Sequence, residues 1–383
     1  MSSYHDKGSR GAIKMSGLKL SQINKVFPNG RHPVKHLDLD IQEKELMVIL
    51  GPATCGKSVL LRMIAGLEDI SEGDLFYMGE RLNEKSPIER EITFMLDQYA
   101  IYPHLTVYDN VAFGLKLKKK SKEAIDKDVR DALHALEIEH LSDKTPGEIS
   151  LIELQKVSLA RAVVRKPKVF IIDEPFFNLD IEVKNQMIEE LKKLHKRIDT
   201  IFIYATGNPR DAKRFDDSRI CILFRGRIQQ VGKYEELYRA PVNNFVAGYI
   251  GEPQMSFIDI ILKKEDNRYF GELESQRIEI SNQFVDKMSM DAFVGKKLIL
   301  GFRPDHVHTV KRQDDQSLLK GWVIAKEMHD DDAVWTINVD NQHIMSTHFD
   351  NSIKVNEEVT LKIDFDVAYV FDKLSEKALS YKE

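Results

Sequence analysis

Apolar and polar residues follow changing periods along this chain, and the changes divide it. From Leu18 to Ile41 the period is two, which predicts short strands around a turn at Pro28-Asn29-Gly30. Leu46–Leu50 and Val169–Ile172 are unbroken apolar runs and read as parallel strands buried on both faces. Thr200–Ala205 is a further apolar strand. Val59–Ile64 reads as a helix, Gly66–Gly79 as turn, strand and turn, and Ile92–Leu96 as a strand. Residues 107–141 read as helices, with Ile125, Val129, Leu133 and Leu136 at helical spacing. A helix from Leu154 to Val163 and a long polar helix to about Lys196 follow. Strand-like Arg219–Phe224, a helix from Lys233 to Tyr238 and the segment through Ile250 close this α/β region. From about Pro253 the pattern changes to short β runs: Phe257–Ile261, Ile278–Ile280, Leu298–Leu300, Gly321–Ala325, Val334–Val339 and Val359–Phe365. These predict a small barrel or sandwich.

The 383 residues allow two domains and permit three. The borders predicted are a flexible extension over 1–15, an α/β domain over 16–250 and a β domain over 251–383, with Met15 an alternative start. A formal net charge of −5 argues against a dedicated nucleic-acid binder. The two cysteines, Cys55 and Cys221, make a disulfide framework an unneeded assumption and fit a reducing cytoplasm. No apolar run approaches membrane-spanning length, and the polar stretch Met1–Lys14 is unlike a signal peptide. Work at a membrane would need another chain as anchor.

The chemistry starts at Gly51-Pro52-Ala53-Thr54-Cys55-Gly56-Lys57-Ser58, between a predicted strand and a predicted helix. That context is what a phosphate-binding loop needs. Gly51 and Gly56 let the backbone curl its N–H groups toward phosphate oxygens. Lys57 adds a point charge for the β- and γ-phosphates, and Ser58 a hydroxyl for Mg2+, which prefers oxygen ligands. The strand ending in Asp173-Glu174 points two acids at a ligand site, since open α/β sheets bind ligands beyond strand carboxyl ends. Asp173 can hold Mg2+, and Glu174 can polarise an attacking water as general base. The plainer reading of this acidic pair is a helix cap. Phe27, just before the Pro28-Asn29-Gly30 turn, is either a half-buried strand aromatic or a stacking platform for adenine.

In this order the landmarks resemble an ABC-transporter nucleotide-binding subunit, most of all the ATPases of bacterial maltose and multiple-sugar importers. Val26-Phe27-Pro28-Asn29-Gly30 resembles the adenine-stacking loop. Leu61–Glu68, Tyr99–His104, Phe245–Gly251 and Gly301–His306 are similar to segments of that importer branch. The resemblance implies a P-loop NTPase fold with a helical subdomain at about 98–158. A small β domain of the transport-associated OB-like (TOBE) type would follow. It also implies Mg-ATP as cofactor, with Gly51–Val59 around the phosphates. Implied partners are two membrane permeases, a second nucleotide-binding subunit and, indirectly, an extracytoplasmic solute-binding protein. The implied location is the cytoplasmic face of the membrane.

Several positions depart from the family pattern. Where the family's signature loop has Ser, two glycines and Gln, this chain has Ser150-Leu151-Ile152-Glu153. Leu151 and Ile152 put bulk where glycines would let the backbone approach a γ-phosphate across the dimer. Asp97 stands at the γ-phosphate-sensing Gln, with Gln98 beside it, and Gly207 stands at the switch His. Thr54 replaces a usual Gly, and Val59 a usual hydroxyl residue. The parts for binding Mg-ATP are present, and those for sensing it and closing over it are altered. The expectation is an importer ATPase with weak or partner-dependent hydrolysis. The rival is a non-hydrolysing regulatory subunit that binds ATP and pairs with an intact ATPase. A soluble P-loop kinase is a weaker third reading, because no acceptor domain is visible.

Overall fold

A computed structural model describes residues 17–95, 101–117, 120–176, 179–310, 318–329, 332–348 and 352–379. The expected extension over 1–15 and the sensing positions Asp97 and Gln98 lie outside them. The chain forms two compact units, Met1–Lys233 and Tyr234–Glu383.

The first unit opens with β1 (Leu18–Lys25), β2 (Val34–Ile41), β3 (Leu46–Leu50), α1 (Lys57–Ala65), β4 (Glu72–Tyr77) and β5 (Glu80–Arg81). Next come α2 (Pro87–Arg90), β6 (Ile92–Met95), α3 (Val107–Lys116), α4 (Lys122–Ala135) and α5 (Leu151–Val163). It ends with β7 (Val169–Asp173), α6 (Ile181–Arg197), β8 (Ile201–Thr206), α7 (Pro209–Arg214), β9 (Arg219–Phe224) and β10 (Arg227–Lys233). Among the described residues one sheet runs β10-β9-β3-β8-β7-β6, and a second, antiparallel sheet runs β2-β1-β4-β5. In the first sheet β9, β3, β8, β7 and β6 are parallel. Every residue of β3 and β8 is buried, as strands covered on both faces require.

Register then positions the site. Leu50 pairs with Thr206, and Asp173 with Ala205, so β3, β7 and β8 end at one edge. The turns leaving that edge carry residues 51–56, Glu174 and Gly207. Helices α3, α4 and α5 pack on one another through apolar faces that include Val111, Leu115, Val129, Leu133 and Val157, all buried. Helix α5 starts at Leu151, earlier than the predicted Leu154, because Ser150 and Glu153 form a capping box.

The second unit begins with α8 (Tyr234–Arg239) and α9 (Asn244–Ile250). Then come β11 (Ser256–Glu265), β12 (Arg268–Glu272), β13 (Arg277–Ile280), α10 (Asn282–Lys287), β14 (Lys297–Phe302) and β15 (Val307–Val310). The last strands are β16 (Leu318–His329), β17 (Asp332–Val339), β18 (Gln342–Ser346), β19 (Glu358–Ile363) and β20 (Tyr369–Asp372). Two antiparallel sheets, β13-β12-β11-β14-β20 and β15-β19-β16-β17-β18, share one apolar cluster in which Ile258, Leu300, Val323 and Ile337 are fully buried. The units divide upstream of the border expected from composition, and Arg303 shows why. Arg303 is 2% exposed, and its guanidinium donates to the carbonyls of Ala247 and Tyr238 at 3.0 Å each and lies 3.9 Å from the Tyr238 ring centre. That buried cation ties α8 and α9 to the β-rich unit.

Candidate functional site

The loop after β3 is held by close backbone packing. A β-carbon on Gly51 would lie 2.3 Å from the Leu223 carbonyl oxygen. Gly56 has φ +115°, and a β-carbon there would lie 2.2 Å from the Pro33 oxygen. Only glycine meets both demands at Gly56. Thr54 takes φ +63° without being glycine, a strained conformation for a β-branched residue. Pro52 is half-buried, and Ala53 and Thr54 are exposed at the loop tip. Burial pushes the Cys55 thiol above its ordinary pKa, against the pull of the Lys57 charge, so this cysteine is a packed and unreactive part of the loop.

Helix α1 opens on Gly56 with no side-chain cap and no acid in its first turn. Its first residue, Lys57, is 5% exposed. The ammonium donates to the carbonyls of Gly51 at 2.7 Å and Pro52 at 3.2 Å, and pairs with Glu174 Oε1 at 3.1 Å. Glu174 sits at φ +47°, its N–H bonded to the Ala205 carbonyl at 3.1 Å, with its side chain 37% exposed. Asp173 lies beneath. Its Oδ1 is buried without a hydrogen-bond partner. Burial raises the Asp173 pKa and the Glu174 charge adds to that, while the Ser58 hydroxyl and Lys57 pull it down. Val59, which brings no hydroxyl, is half-buried against the apolar cluster behind the loop.

Gly207 lies at the same edge. A β-carbon there would stand 3.5 Å from the Gly51 oxygen, 3.6 Å from Glu174 Oε1 and 4.0 Å from Lys57 Nζ. Those are ordinary contact distances, so a side chain at 207 would enter the site without displacing backbone. A cavity of about 450 Å³ occupies this space, bordered by Ala53, Glu174, Tyr204 and Gly207. Behind it Lys184 pairs with Asp211 at 2.7 Å, and the Thr206 hydroxyl donates to Asp211 at 2.8 Å. Sequence reasoning missed this pair. It braces the turn that carries Gly207, and the sequence offers no signal for it because α6 and α7 meet only in the fold.

Phe27 is half-buried on the β1–β2 segment, with Lys25 Nζ 5.0 Å and Arg31 Cζ 5.7 Å from its ring centre. The same segment supplies Pro33 against Gly56. The Ser150–Glu153 turn stands apart and bonds to itself. Ser150 N and Oγ donate to Glu153 Oε2 at 2.7 and 2.8 Å, and Glu153 N donates back to Ser150 Oγ at 3.3 Å. The backbone and hydroxyl donors of Ser150 hold the Glu153 carboxyl below the ordinary carboxylate range. Leu151 is 50% exposed and Ile152 half-buried.

A parallel sheet, an uncapped helix start behind a glycine turn, and a lysine beside two acids define a P-loop nucleotide-binding protein. Residues 34–177 match the family model described as ABC transporter. The chain is 37% identical to the ABC transporter ATP-binding protein YurJ of Bacillus subtilis, over 95% of this chain and 100% of that one. It is 41% identical to the multiple sugar-binding transport ATP-binding protein MsmK of Streptococcus mutans, over 76% of this chain and 80% of that one. The solved structure of cbiO1 from Clostridium perfringens, part of the ABC transporter complex cbiONQ, aligns with TM-score 0.54 and 27% identity. That alignment covers 59% of this chain and 91% of cbiO1. The chain belongs to the ABC transporter ATP-binding family.

The family uses ATP with Mg2+, and the residues present fit the metal. An unpartnered buried carboxylate oxygen on Asp173 beside the Ser58 hydroxyl is an all-oxygen donor set. Mg2+ commonly takes one or two carboxylates and completes its shell with water and phosphate. Among the described residues no helix is long and apolar enough to cross a membrane.

Proposed function

We propose that this chain is the ATP-binding subunit of an ABC importer, coupling ATP binding and hydrolysis to uptake of a carbohydrate or related solute. The observation that carries the reading is Lys57 held 3.1 Å from Glu174 beside the unpartnered oxygen of Asp173. The backbone from Gly51 to Val59 cradles phosphate, and Phe27 offers a face to adenine. Ser58 and Asp173 hold Mg2+, which when bound neutralises charge on the phosphate oxygens. Glu174, released from Lys57, orients and deprotonates the attacking water. Likeness to MsmK, named for multiple sugar-binding transport, supports a saccharide cargo. The partners are permease subunits, a second nucleotide-binding subunit and an extracytoplasmic solute-binding protein, with this chain peripheral on the cytoplasmic face.

Hydrolysis is weak or depends on the partner. Gly207 brings no side chain to the site, and at the start of α5 the Glu153 carboxylate accepts from Ser150 N and Oγ. The same two observations favour a second reading, a regulatory subunit that binds ATP and pairs with an intact ATPase. Phosphate release by the purified chain, alone and with its permease complex, separates them. Turnover that Glu174→Gln lowers about a thousandfold while ATP still binds supports the first reading. Binding without turnover in either setting selects the second.

A further inference from the structure

The second unit holds a cavity of about 770 Å³ that the nucleotide reading leaves unused. Its floor is the outer face of the β15-β19-β16-β17-β18 sheet. Register sets Asn338, Trp322 and Glu358 side by side on β17, β16 and β19. Val323 is fully buried, so strand alternation turns Trp322 outward, where it is 55% exposed. The wall is the β12–β13 turn, locked onto the floor. Ser275 N and Oγ donate to Asp340 at 2.8 and 2.5 Å. Gln276 accepts from Lys320 N at 2.8 Å and donates to Lys320 O at 3.0 Å. The cavity is therefore braced by its own hydrogen bonds. Asn338 lines the cavity, and its Oδ1 is buried without a hydrogen-bond partner.

Charge narrows the ligand. The lining carries Glu274, Asp340 and Glu358 against Arg277 and Lys320. Arg277 is engaged by Glu265 at 3.1 Å and by the Phe270 ring at 4.5 Å. A phosphate or polyanion would meet a surplus of carboxylates. A flat exposed indole between an amide and a carboxylate suits a ligand with apolar C–H faces and hydroxyl edges. We propose that this cavity binds a neutral saccharide or polyol, one face stacked on Trp322 and its hydroxyls bonded by Asn338 and Glu358. The site lies wholly within the second unit and does not rest on the nucleotide reading.

The chain has two tryptophans, and Trp335 is only 2% exposed, so a ligand-induced change in emission reports Trp322. The full chain is titrated with maltotriose and with sorbitol, by fluorescence and by calorimetry. A saturable emission change is expected with at least one of them. Trp322→Ala should weaken calorimetric binding about tenfold or more, and Asn338→Ala about fivefold. Both variants should keep wild-type ATP affinity as the check on folding, and Lys57→Ala should bind the saccharide as wild type does. No saturable response to either probe would overturn the proposal. So would binding indifferent to Trp322→Ala, or binding of inorganic pyrophosphate or oligo-dT to the Lys57→Ala chain that is tighter than saccharide binding and is lost in Trp322→Ala.

Discussion

Two helix starts in the first unit have the same backbone dipole and opposite readiness for an anion. Helix α1 begins on Gly56, which has no side chain to cap it, and its first turn has no acid. Helix α5 begins on Ser150, and Glu153 reaches back to occupy the donors there. Every helix leaves its first N–H groups without intrahelical partners. At α1 they stay available and Lys57 adds charge. At α5 the chain places its own carboxylate beside the positive end of the dipole, and the Glu153 N–H is taken by Ser150 Oγ. The difference comes from Gly56 and Lys57 at one start and Ser150 and Glu153 at the other, and it leaves α1 without and α5 with a carboxylate of its own at the helix start.

The test with the largest expected effect acts on the open end. Lys57→Ala removes a 5%-exposed ammonium and leaves Glu174 facing the site unpaired. Nucleotide affinity should fall about a hundredfold, read by titration with a fluorescent ATP analogue. Affinity within a few-fold of wild type would mean that the backbone of α1 carries the binding by itself, and the contrast between the two helices would then rest on capping alone.

The open end was largely legible in the sequence because its signal is local. Strand, glycine turn, Lys57 and Ser58 are contiguous, and Asp173-Glu174 close an apolar run of their own. Parallel register then places both strand ends at one edge. At the closed end only the helix boundary departs from the pattern: the sequence reads a helix from Leu154 and α5 starts at Leu151, because apolar Leu151 and Ile152 do not look like a first turn although Ser150-x-x-Glu153 is a capping-box pattern. The β-rich unit was recognised from six runs, while β12, β15, β18 and β20 were missed as short segments set by cross-strand partners. The Lys184–Asp211 pair and the reach of Arg303 to α8 and α9 depend on tertiary approach, which no local pattern carries.

An intermediate effect is expected at Asp173. Burial raises its pKa, so the proton is held more tightly in the fold than in the unfolded chain. The stability tied to that proton is complete below the ordinary carboxylate range and is lost as pH rises through the raised value. Above that raised value the ligand-free protein carries an unfavourable buried charge. Asp173→Asn should raise the melting temperature of the ligand-free chain by about 2–4 °C, for roughly 1 kcal/mol. It should also abolish the extra stabilisation that Mg2+ gives over ATP alone. The gap between variant and wild type should narrow as pH falls through the raised value. A lower melting temperature with Mg2+ response intact would show that Asp173 is a packing residue and the metal sits elsewhere.

The smallest effect tests the closed end. Glu153→Ala deletes the carboxylate that accepts from Ser150 N and Oγ and leaves the Ser150 cap itself in place. Loss of half a capping box costs about 0.5–1 kcal/mol, a drop of a few degrees in melting temperature. Because Ser150 holds the Glu153 pKa below its ordinary value, this stability is present above the ordinary carboxylate range and is lost as pH falls through the depressed one. The difference between wild type and variant should therefore fade in acid. Sulfate distinguishes a simple lost cap from a vacated anion position. At matched ionic strength it should recover more of the variant's melting temperature than chloride does, and wild type should lack that extra gain. Equal recovery in both proteins would mean that Glu153 only caps α5, and that the two helix starts differ in sequence without differing in what they can bind.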